Sequence, residues 1–76
     1  MNKYDKILMG NEADAIKFLV SECNLETRDA FIFLKRYRSK KEYELMALSM
    51  EVEVVNVQSE ISEMNEFIEK NCVKTK

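Results

Sequence analysis

Fourteen acidic and twelve basic side chains, no proline, no histidine and a single glycine in 76 residues describe one small domain, 1–76, with few turn-forming residues. Without histidine the usual general base near neutral pH is missing and no Cys/His zinc set can be assembled, so a non-enzymatic protein with no metal and no cofactor is expected. A chain of this length buries only about 60% of the surface its unfolded form exposes. Two cysteines supply no disulfide framework, which leaves a compact helical core or self-association as the source of stability.

The opening segment, 1–10, carries Lys3, Asp5 and Lys6 around the short apolar run Ile7-Leu8-Met9, which is not the pattern of a signal peptide. It reads as a short frayed piece in which Tyr4, Ile7 and Leu8 share a helical face. Gly10-Asn11 is the first break, and Asn11 is suited to cap a helix whose first turn holds Glu12 and Asp14. Ile16, Leu19, Val20 and Cys23 then recur at the i, i+3, i+4, i+7 spacing of one buried face. That helix is expected to stop near Asn24.

Thr27 is placed to cap the next helix, with Ala30, Phe33, Leu34 and Tyr37 repeating the same spacing. Phe31 and Ile32 widen its apolar arc, which marks it as central. Lys35, Arg36 and Arg38 stand where they complement a helix C-terminus. Ser39-Lys40-Lys41-Glu42 fits a capping box and predicts a new helix start. Tyr43, Met46, Ala47 and Met50 form its stripe. A turn is expected at Glu51 to Glu53, then a last helix over 54–71 on Val57, Ile61, Met64 and Ile68. The rival is one continuous helix, since Tyr43, Met46, Met50, Val54, Val57, Ile61, Met64 and Ile68 step by three and four throughout. The fold class expected is all-α, a small bundle of three to four helices, helix-turn-helix-like with a long C-terminal helix. Residues 72–76 read as a frayed tail containing Cys72.

Charge is segregated. Residues 28–41 sum to +5, whereas residues 42–69 sum to −8 without one basic residue. Glu60, Glu63, Glu66 and Glu69 recur every three residues, which fans them around a helix instead of converging them on a metal. No Gly-rich phosphate loop is present. The longest apolar run, Ala30 to Leu34, is too short to span a bilayer. Cys23 reads as a small buried hydrophobe, and free thiols with no export signal point to the cytoplasm.

Tyr37 to Ile61 resembles the helix-turn-helix of sigma factor region 4 and its relatives in small phage and bacterial regulators. Tyr43 and Ala47 stand where that motif has an aromatic and a small buried residue, Val52 where its turn has a branched apolar one. Val57, Ser59 and Ile61 match its second helix, and Leu34 to Tyr37 the helix that leads into it. The resemblance implies a regulator of transcription, of phage or mobile-element kind. Two positions depart from the pattern: Glu51 replaces the usual glycine, and the second helix is acidic where DNA readers are basic.

Two functions fit these features. In the first, a protein partner, the transcription machinery or a second copy of the chain, is docked by the last helix. Val54, Val57, Ile61, Met64 and Ile68 are then the apolar anchors of a homodimer or complex, with Glu60 and Glu63 as an acidic rim. In the second, Lys35, Arg36, Arg38, Lys40 and Lys41 grip DNA phosphates while Asn56 and Gln58 read adenine edges. Neither uses a membrane or a small-molecule substrate.

Overall fold

The computed structural model describes residues 4–72, the last by its backbone alone; of the ends expected to fray, 1–3 and 73–76 lie outside these. The described chain is all-α: α1 (Asp5–Leu8), α2 (Glu12–Glu22), α3 (Thr27–Ser49) and α4 (Val55–Cys72) form a small bundle. At a rise of 1.5 Å per residue the 23 residues of α3 extend about 35 Å. That nearly matches the 38 Å long axis of the molecule. α3 is the spine against which α1, α2 and α4 all pack.

Local chemistry explains most boundaries. Asn11 Oδ1 accepts the Asp14 backbone N–H at 3.0 Å, so the expected cap of α2 forms. α2 ends where expected, with Asn24 at φ 61, a left-handed conformation that asparagine tolerates well. Thr27 is the first residue of α3 and not its cap; Glu26 occupies that position with no side-chain bond to the helix.

The largest departure is at Ser39. α3 runs straight through Ser39-Lys40-Lys41-Glu42, and the capping box does not form. A serine inside a helix costs only about 0.5 kcal/mol, while a break there would orphan several backbone groups and the side-chain ties described below. The turn falls one helix end later, close to the expected place. Val52 N–H donates to Ala47 O at 2.8 Å and Glu51 N–H to Leu48 O at 3.0 Å, a Schellman closure of α3. Glu51 sits at φ 61, the position where glycine is ordinarily favoured. The continuous helix over 43–68 is thereby excluded.

The core joins all four helices. Leu8, Ala15, Leu19, Ala30, Tyr37 and Ile68 have no exposed surface, with Leu34, Cys23, Tyr4 and Ile61 nearly so. Each large aliphatic among them contributes about 1.5–3 kcal/mol of burial. Tyr4 and Leu8 belong to this core, so the described part of the opening segment is packed down. Rings meet at Tyr4–Phe18 (6.0 Å) and Phe33–Phe67 (5.5 Å), joining α1 to α2 and α3 to α4. Cys23 is buried as expected, but it is disulfide-bonded, and no free cysteine occurs among the described residues. A thiol on a buried helix end packs like a small hydrophobe whether or not it is crosslinked, so spacing alone cannot tell the two apart. The free-thiol premise for a cytoplasmic setting falls with it. No described helix is long and apolar enough to cross a membrane.

Candidate protein-docking surface

The basic block is mostly engaged inside the molecule. Arg38 Nε donates to Leu8 O at 2.9 Å and its Nη2 to Gly10 O, so this side chain closes the end of α1. Because α3 continues to Ser49, Arg38 cannot serve the C-terminus of its own helix. Lys41 lies 3.4 Å from Asp5 and 3.4 Å from Glu44, all three largely covered. Tyr37, fully buried, donates its hydroxyl to Asp5 Oδ1 at 2.7 Å. Burial first, and then that bond to a carboxylate, push the Tyr37 hydroxyl well above the ordinary tyrosine range. Lys40 Nζ meets Glu60 Oε1 at 2.6 Å and ties α3 to α4. The Lys40 hydrogen bond, and then its charge, hold the Glu60 carboxyl below its usual value. Of the five basic residues expected on phosphate, only Lys35 and Arg36 are left exposed and unpaired among the described residues.

The presumed readers fare no better. Gln58 Nε2 donates to Glu44 Oε2 at 3.1 Å, which holds it against α3. Asn56 is exposed in the first turn of α4, with Glu53 just before it.

The expected apolar anchors are corrected by burial. Val54, Ile61 and Ile68 are core residues at 6%, 7% and 0% exposure, and Val57 and Met64 pack against that core. Their three-and-four spacing marks the inner face of α4, as a bundle this small requires. A partner cannot reach Val54, Ile61 and Ile68 without unfolding the domain. Glu60 and Glu63 are exposed, but Glu60 already holds Lys40. The carboxylates of α4 do not gather: no cluster fit to hold a metal occurs among the described residues. Asn65 Oδ1 is buried with no hydrogen-bond partner among the described groups, a local flaw under α4.

What the structure leaves outside lies elsewhere. Tyr43, Leu45, Met46, Leu48, Met50, Val52 and Val55 are exposed by 45% (Val52) to 64% (Met50). All seven sit at the corner where α3 turns into α4, around the two buried residues there, Ala47 and Val54. The expected stripe Tyr43, Met46, Ala47, Met50 thus faces solvent apart from Ala47. Glu42, Glu51 and Glu53 stand exposed around the same corner. Tyr43, Met46 and Met50 fall on one side of α3, and apolar exposure of this kind edged by charge marks docking surfaces more often than free surface. Sequence reasoning passed over Leu45, Leu48 and Val55 and read Val52 only as the apolar residue of a turn, although the unbroken apolar run 45–48 carried a signal. A helix apolar on every side needs neighbours on every side, and 76 residues cannot provide them.

No protein-family model, no curated protein and no solved structure matches this chain.

Proposed function

We propose that this protein is a non-enzymatic docking module whose working surface is the exposed corner between α3 and α4. The observation that carries this reading is the seven large apolar side chains left exposed there, in a segment, 42–69, that has eight carboxylates and no basic residue. Apolar area supplies affinity and the glutamate rim selects partners that bring positive charge. Two of the exposed side chains there, Met46 and Met50, are methionines, and such side chains adapt to a partner's shape at low cost. The likeness of Tyr37 to Ile61 to a sigma factor helix-turn-helix supports a regulatory role near transcription, exerted through protein contact. Capture of Arg38, Lys40 and Lys41 by internal partners argues against the DNA-binding alternative.

Photo-crosslinking tests this reading. A photoreactive residue in place of Met46 should give protein adducts in cells that express the chain, while the same residue in place of Glu22, exposed at the far end of α2, should give none. Equal adducts from both positions, or none from Met46, would overturn it.

A further inference from the structure

The outer face of α3 carries a pattern that the fold does not use. Ile32, Arg36, Ser39, Tyr43, Met46 and Met50 are all exposed. They follow one another by steps of four, three, four, three and four, which keeps them on one line of an α-helix. These steps read the same in both directions about residue 41. A second copy of α3 laid antiparallel on the first therefore matches it layer by layer, Ile32 on Met50, Arg36 on Met46 and Ser39 on Tyr43.

Charge has the same symmetry with opposite sign. Arg28, Lys35 and Arg36 stand exposed on the N-terminal half, where Asp29 is the exposed acid of the first turn, and Glu42, Glu51 and Glu53 on or just past the C-terminal half. None of these takes part in an ion pair among the described residues. An antiparallel copy sets each basic half against an acidic one, whereas a parallel copy sets like against like.

We propose that the occupant of this face is a second copy of the chain, joined through an antiparallel α3–α3 seam with two-fold symmetry. The proposal rests on the docking reading above and names its partner. A two-fold interface needs a self-complementary patch, and the palindromic spacing with its divided charge is such a patch. The polar Arg36 and Ser39 in the seam weaken it and fix its register. The register has adverse contacts: Glu42 and, on the other flank, Lys40 fall beside the two-fold axis and each meets its own copy, and the exposed Asp29 comes level with the second copy's Glu53.

Sedimentation of the purified full chain from micromolar to millimolar concentration at low salt tests the seam. The expected result is a monomer–dimer equilibrium that weakens as salt rises. Met46→Asp, at an exposed position, should weaken the dimer at least about tenfold with helicity unchanged by circular dichroism. Glu42→Gln should tighten it several-fold. Arg28→Glu/Lys35→Glu/Arg36→Glu and Glu42→Lys/Glu51→Lys/Glu53→Lys should each lose the homodimer and recover a heterodimer when mixed. A chain that stays monomeric at millimolar concentration overturns the proposal, as does a dimer indifferent to Met46→Asp or a mixture that fails to recover. Should the chain be monomeric while position 46 still crosslinks to a protein of another mass, the self-pairing fails and the docking reading stands. Should it be monomeric with no crosslink, both fail.

Discussion

Tyr37→Phe probes the joint between α1 and the spine. The substitution keeps the ring in a fully buried site and removes only the hydroxyl that donates to Asp5 Oδ1 at 2.7 Å. A hydrogen bond to a charged group contributes about 1.5–3 kcal/mol. Asp5 keeps Lys41 at 3.4 Å and retains some contact with water, so the loss should lie near the lower end, about 1.5–2 kcal/mol. For a domain of this size that lowers the melting temperature by roughly 10 °C. Urea unfolding followed by circular dichroism gives the difference directly, with an unchanged m-value as the sign that the fold is intact. The effect also has a pH signature. Burial and the Asp5 bond raise the Tyr37 pKa in the folded state. Its contribution is thus complete below the unfolded tyrosine value of about 10 and is lost as pH rises through the folded one. The gap between the two proteins should close in alkali. A phenylalanine variant as stable as the parent would refute the claim that this bond secures α1.

Four further outcomes follow from the same geometry. Glu51→Gly should stabilise the domain by about 0.5–1 kcal/mol in thermal or urea melts, because glycine takes φ 61 without the strain that glutamate bears there. Gly10→Ala should destabilise by about 1–3 kcal/mol, since a Cβ at that site would stand 2.9 Å from the Lys6 carbonyl oxygen, a backbone atom that cannot swing away. The Lys40 bond lowers the Glu60 pKa, so its contribution is present above the unfolded glutamate value of about 4.3 and disappears as pH falls through the folded one. Acid melts of the parent and of Lys40→Met should accordingly converge at low pH and separate towards neutrality. Mixed-sequence duplex DNA titrated at low salt should show no saturable binding; binding that weakens steeply with salt would return the basic block to phosphate.

The helical class, the Asn11 cap, the stop at Asn24 and the turn after Met50 were legible because each rests on local chemistry or on a regular apolar period. Ser39 to Glu42 misleads because a capping box is a local option, and local options lose when Arg38, Lys40 and Lys41 find partners on α1 and α4 only along a continuous helix. The division of stripes into core and surface was legible for α2 and the first half of α3, where Leu19, Cys23, Ala30, Leu34 and Tyr37 are buried as expected, but not beyond Tyr37. Val54, Ile61 and Ile68 share a spacing rule with Tyr43, Met46 and Met50, yet the first set is buried and the second exposed. Periodicity says which residues lie together on a helix; only the placement of neighbouring helices says which line is covered. The reading of Glu51 as a residue unsuited to a left-handed turn was sound chemistry, but the turn forms regardless, with φ 61 held by the two backbone bonds that close α3.

Amide chemical shifts recorded over a dilution series test the central claim most directly, because they locate the working surface residue by residue. The account predicts concentration-dependent shifts along the exposed line of α3 from Ile32 to Met50 and through Glu51 and Val52, with the 60–69 stretch of α4 unmoved. Shifts confined to the glutamate face of α4, or no shifts up to millimolar concentration, would contradict it.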